Sequence, residues 1–119
     1  MSKTDFKPHA WGTSVKEVDI MHDIQRAAPK AGATLYRNNC GAVKTKWGGY
    51  IRFGVCNPGG SDLIGWTRTG RFLAVEVKTA KGKVTEEQQA FLDAVNKSGG
   101  LGVVCRSAAE LFAALNLTA

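Results

Sequence analysis

No apolar run in this chain is long enough to span a bilayer. The opening stretch, Met1 to His9, mixes lysine, aspartate and proline with no apolar core, so a secretory signal is not expected. Cysteine is scarce. Cys40, Cys56 and Cys105 are scattered and odd in number, which speaks against a disulfide framework. There is no CxxC and no His/Cys spacing of a zinc site. The three read as reduced packing thiols of a cytoplasmic protein. Internal repeats and low-complexity tracts are also missing. At 119 residues the chain has room for one compact domain. We divide it into a loose arm over 1–13 and a domain over 14–119.

Acid is in short supply too. Ten Asp and Glu face 16 Lys and Arg, leaving a formal charge of +6. That surplus favours a polyanionic partner only weakly, and placement matters more. Lys44, Lys46 and Arg52 gather in one glycine-rich segment, and Lys78, Lys81 and Lys83 in another. Each cluster also reads as an ordinary solvated surface.

Along the chain, a helix is predicted from about Ser14 to Ala28, closed by Pro29 and Gly32. Ala33 to Cys40 reads as a strand, Gly41 to Gly49 as a candidate mobile loop, and Tyr50 to Val55 as a short strand. Asn57-Pro58-Gly59-Gly60 is a strong turn signal. Two strands, Asp62 to Thr67 and Arg71 to Thr79, are joined by a tight turn at Thr69-Gly70. A helix over Thr85 to Lys97, a buried strand over Leu101 to Cys105 and a short helix over Ser107 to Leu115 complete the chain. The order α-β-β-β-β-α-β-α describes a mixed α/β domain.

Side chains alternate across a strand, so Leu73, Val75 and Val77 share a core face while Phe72, Ala74, Glu76 and Lys78 share the other. An acid and a base are thereby set side by side at the end of an apolar strand. The turn at Thr69-Gly70 folds Asp62 back to within about one pleat of Glu76. Two carboxylates at that range need a proton or a cation between them. A divalent ion with oxygen ligands fits, since Mg²⁺ needs only one or two carboxylates plus water and phosphate. Lys78 can then orient an attacking water, as in hydrolysis by metal-activated water. The bland reading is an exposed Glu76–Lys78 pair on an edge strand, with Asp62 capping a turn. Gly59-Gly60-Ser61-Asp62, a turn, and an apolar strand ending Glu76-Val77-Lys78 form a more specific pattern, which favours the metal site.

In the first helix, Glu17, Ile20, Met21, Ile24 and Ala28 form one stripe, and Lys16, Asp19, Asp23 and Arg26 lie opposite. Glu17 is the acid that faces inward. Ser14-Val15-Lys16-Glu17 also matches a capping box, which would occupy the same carboxylate. Thr85-Glu86-Glu87-Gln88 poses the same choice for Gln88. Ser107-Ala108-Ala109-Glu110 is a third such box, assigned to capping alone.

Together these residues resemble the virus-type replication-repair nuclease (VRR-NUC) domain of the PD-(D/E)xK nuclease superfamily, over about Ser14 to Leu115. The motifs are Glu17, Tyr36-Arg37-Asn38-Asn39, Asn57 to Asp62, Phe72 to Lys78, and Gly82-Lys83-Val84-Thr85-Glu86-Glu87-Gln88. The resemblance implies a restriction-endonuclease-like core. It further implies that Asp62, Glu76 and the Val77 carbonyl bind Mg²⁺ or Mn²⁺, that Lys78 is the catalytic lysine, and that Glu17 and Gln88 support the site. Met21 departs from the pattern, since such helices often carry Gln there.

Stand-alone members resemble junction-resolving enzymes of phage or bacterial origin that act as homodimers on branched DNA. The expectation is therefore a metal-dependent, structure-selective endodeoxyribonuclease, without membrane or organic cofactor, of the Holliday-junction-resolving type. Flap, nicked or duplex specificity, or a DNA-binding module with a vestigial nuclease site, are the alternatives. Arg37 and Asn39 are candidate DNA contacts, in a run that could instead shape a turn. Lys44, Lys46 and Arg52 are candidate backbone contacts. Trp47 could stack on an unpaired base or fill a dimer interface.

Overall fold

The fold is taken from a computed structural model that describes residues 12–56 and 58–118. The arm expected over 1–13 therefore lies largely outside the described residues, as does Asn57 of the turn motif.

Helix α1 runs over Gly12–Ala27 and is prolonged by a 3-10 turn over Ala28–Ala31, which Gly32 ends. The strands are β1 (Thr34–Arg37), β2 (Gly41–Lys44), β3 (Tyr50–Phe53), β4 (Leu63–Trp66) and β5 (Phe72–Val77). Then come α2 (Glu86–Lys97), β6 (Leu101–Cys105) and α3 (Ala108–Thr118). The order expected from the sequence holds, with one addition. Gly41 to Lys44, read as part of a loop, is a strand that pairs antiparallel with β3.

Four strands form a mixed sheet in the order β1-β4-β5-β6, and β2 and β3 form a separate two-stranded sheet. β1 pairs antiparallel with β4 and β4 with β5, whereas β5 and β6 are parallel. A parallel pair requires a crossover connection, and α2 supplies it.

One sheet face carries the larger core. Leu63, Leu73, Val75, Val77, Leu101 and Cys105 pack there with Ile24 of α1 and Leu111 of α3. On the other face Ala74 packs with Leu92 and Val95 of α2. β5 is thus covered on both sides, and only its first residue is exposed. The expected alternation is present, with Leu73, Val75 and Val77 on the larger core's side. Truncating any of these to alanine costs roughly 2–4 kcal/mol in a core this closed.

The cysteines depart from expectation. Only Cys105 is a packing group, its thiol pushed up to about 12 by burial. Cys40 and Cys56 are exposed, because they flank the solvent-exposed β2–β3 hairpin rather than a core strand. No helix among the described residues is long and apolar enough to cross a membrane.

Candidate active site

The β4–β5 hairpin builds the centre of the site. Leu63 lies opposite Val75 in the antiparallel register, so the next step toward the strand end sets Asp62 opposite Glu76. Asp62 is fixed from both sides. Its carboxylate Oδ2 accepts the Val77 backbone N–H at 2.8 Å, and its carbonyl accepts the Asn38 N–H at 2.8 Å.

Glu76 is buried, with 2 % of its surface exposed. Lys78 Nζ stands 3.6 Å from Glu76 Oε2, on a side chain that is 13 % exposed. The other carboxylate oxygen, Oε1, is buried and has no hydrogen-bond partner among the described residues. Burial raises the Glu76 carboxyl from an ordinary 4.5 to about 7, the Asp62 charge adds to the rise, and Lys78 opposes it. A buried acid missing one of its partners is costly unless something else satisfies it.

Two shallow clefts meet at Asp62. One, of about 150 Å³, is lined by Glu17, Val18, Met21, Arg37, Asp62 and Val77. The other includes Arg37, Asn38, Asn39, Cys40 and Gly60 beside Asp62. The structure therefore brings Glu17 of α1, Arg37 and Asn39 to the same region as Asp62. The capping box proposed for Glu17 does not fit the helix. α1 begins at Gly12, so Ser14 lies within the helix, whereas an N-cap residue must precede the first turn. Met21, the departure from the family pattern, is a buried residue that lines both clefts.

Gln88 takes the capping role. Thr85 Oγ1 accepts the Gln88 N–H at 3.1 Å and Gln88 Oε1 accepts the Thr85 N–H at 2.9 Å, a complete capping box. The connection leading to it from Lys78 is pinned by Arg106, whose Nη1 donates to the carbonyls of Thr79 and Gly82. In the third box, Glu110 donates its N–H to Ser107 Oγ but reaches past it with its carboxylate, to the Arg106 N–H.

Asn38 has a structural role that the Arg37-Asn38-Asn39 run does not disclose. Its Nδ2 donates to the Val55 and Ser61 carbonyls and its Oδ1 accepts the Val55 N–H, all at 3.0 Å. One carboxamide thus clamps the loop that delivers Asp62. Its partners are 17 and 23 residues away in sequence, so no local pattern could have shown it. Gly60 belongs to the same clamp. A Cβ there would stand 1.9 Å from the Val55 carbonyl and 3.0 Å from Asn38 Nδ2.

The remaining basic candidates lie on the β2–β3 hairpin. Ala42 pairs with Arg52 and Lys44 with Tyr50, so Lys44 and Arg52 share one face, while Val43, Ile51 and Phe53 occupy the opposite one. Lys46 sits in the connecting turn.

Among the described residues no group of three or more His, Cys, Asp or Glu is close enough to cage a metal with side chains alone. The Asp62 and Glu76 oxygens still suit a hard divalent cation, which is held by one or two carboxylates and completes its shell with water and phosphate. The unpartnered Glu76 Oε1 is the atom such an ion would satisfy. The family model of the VRR-NUC domain matches residues 12–109. No curated protein and no solved structure matches the chain.

Proposed function

The chain belongs to the VRR-NUC domain family and is thus a nuclease, and on that premise we propose that it is a divalent-metal-dependent, structure-selective DNA endonuclease. The observation that carries this reading is the buried Glu76 carboxylate, one oxygen of it without a hydrogen-bond partner among the described residues, facing Asp62 with Lys78 alongside.

Asp62, Glu76 and the Val77 carbonyl would hold Mg²⁺ or Mn²⁺. When bound, the ion supplies positive charge to the phosphate and lowers the pKa of a coordinated water. The remaining work falls to the chain. Lys78, kept in place by Glu76, orients the attacking water and balances negative charge developing on the phosphate. Glu17, across the cleft from Asp62, accepts a hydrogen bond from that water. Arg37 grips the phosphate through its fork of donors, and Asn39 adds a neutral donor beside it. Gln88 supports the site through the cap that fixes where α2 begins. Lys44, Lys46 and Arg52 hold the DNA backbone without reading sequence.

As a homodimer the protein would present two such centres to two strands, as resolution of a four-way junction requires. The test is cleavage of matched-sequence four-way junction, flap, nicked and linear duplex DNA with Mg²⁺ or Mn²⁺, with Glu76→Ala as control. Paired symmetric cuts in the junction, lost in the variant, are expected. Cutting confined to flap or duplex would remove the resolving role and keep the nuclease. Tight binding with no cutting of any substrate would leave a DNA-binding module without chemistry.

A further inference from the structure

The β2–β3 hairpin stands apart from the main sheet, and its strand residues are exposed except for the half-buried Gly41. A two-stranded hairpin has little stability of its own, so its construction shows where order is maintained. Its turn is tied by several hydrogen bonds. The Thr45 N–H donates to the Gly49 carbonyl at 2.8 Å, the Gly49 N–H to Thr45 Oγ1 at 3.0 Å, and the Gly48 N–H to the Thr45 carbonyl at 3.2 Å. Gly48 adopts a φ of 89°, which the turn requires and a side chain would oppose. On this fixed turn sits Trp47, 84 % exposed, with Lys46 Nζ 4.9 Å from its ring centroid.

An indole so exposed adds nothing to the core, yet the turn beneath it is held in one shape. Lys46 lies against the ring, and Lys44 and Arg52 share one face of the hairpin that carries the turn. An exposed aromatic ring with a cation against it, on a hairpin that carries two more, is suited to a base with its phosphates. Paired bases inside a duplex are already stacked, and only branch points, ends and single strands offer a free base face.

We infer that Trp47 is a stacking platform for unpaired bases, so that the hairpin confers on the enzyme a preference for branched or single-stranded DNA. The inference rests on the nuclease reading for its substrate class, but not on any metal or cleavage step. The hairpin's basic face meets the phosphates of any DNA, while Trp47 engages only where a base is free. Structure selectivity then comes from the β2–β3 hairpin, and chemistry from the β4–β5 hairpin.

The test is binding in EDTA, with no cleavage, followed by tryptophan emission. The difference between the wild-type chain and Trp47→Phe reports Trp47 against the other tryptophans. Oligo-dT, a linear duplex and a four-way junction are titrated in turn. Quenching of the Trp47 component by oligo-dT and junction, but not by duplex, is expected. Trp47→Ala should weaken binding to oligo-dT and junction about tenfold, the scale of one lost base stack. It should leave duplex affinity and the melting temperature unchanged, and Trp47→Phe should restore part of the loss. Equal loss for all three DNAs, or no quenching by any, would overturn the inference. A blue shift that grows with protein concentration without DNA would also overturn it, assigning Trp47 to a contact between copies. Selective quenching in a protein that cuts nothing would uphold the platform and fault only the chemistry.

Discussion

Replacing Glu76 with glutamine removes a buried charge while keeping its shape, and it should make the metal-free protein more stable. The sign follows from the proton. Folding lifts the Glu76 carboxyl from about 4.5 to about 7, so between those values the folded chain holds a proton that the unfolded chain has lost. Stability contributed by this group is therefore fully present below pH 4.5 and is lost as pH rises through about 7. At about 1.4 kcal/mol for each pH unit of that interval, the wild-type chain loses on the order of 3 kcal/mol between pH 4.5 and pH 8. Glutamine does not titrate, so Glu76→Gln escapes the loss. Lys78 forfeits its partner in the exchange, which trims the net gain at pH 8 to roughly 1–3 kcal/mol.

The assay is urea denaturation in EDTA at pH 5, 6, 7 and 8 for both proteins, repeated with excess Mg²⁺. The curves should converge near pH 5 and separate toward pH 8, with the variant the more stable. Magnesium should then raise the wild type and leave the variant where it was, since an ion that binds only the folded state stabilises it by mass action. A wild-type curve that is flat from pH 5 to pH 8, or a variant less stable than wild type at pH 8, would refute the account of Glu76 as a buried carboxylate with one oxygen unsatisfied.

Lys78→Ala should reduce cleavage at least a hundredfold with little change in DNA affinity, measured by single-turnover kinetics and by binding in EDTA; retained cleavage would remove Lys78 from the chemistry. Asn38→Ala leaves the Val55 N–H and the Val55 and Ser61 carbonyls without their partner. A loss of about 2–3 kcal/mol in denaturant titration is expected, with slower cleavage because Asp62 is no longer held. Substituting Lys44 and Lys46 together by alanine should weaken binding to every DNA and flatten the plot of log affinity against log salt by roughly two contacts' worth of slope; an unchanged slope would place the DNA on another face.

The β4–β5 hairpin was legible in the sequence because two strong rules coincide there. Alternation along Phe72 to Val77 separates a core face from a charged one, and a tight turn fixes which residue comes opposite Glu76. The box at Thr85 was legible too, although the sequence left Gln88 two occupations and hydrogen bonding fixes its oxygen on the cap. β2 was obscured for a physical reason. Both hairpin faces are open to solvent, so no buried partner imposes alternation on Gly41-Ala42-Val43-Lys44, and its glycine and lysine resemble a loop. The start of α1 and the exposure of Cys40 and Cys56 depend on tertiary placement that local pattern does not carry. Asn38 is the sharpest case, since its function is defined by residues remote in sequence.

That side chain has a mechanical consequence. Val55 lies just beyond the end of β3, and Ser61 directly precedes Asp62, and one carboxamide grips both. The β2–β3 hairpin and the segment that carries Asp62 are thus joined at one point. The end of β3 and the residue before Asp62 therefore cannot move apart without breaking one of these hydrogen bonds. The position of Asp62 and the position of the hairpin's exit are set by the same side chain.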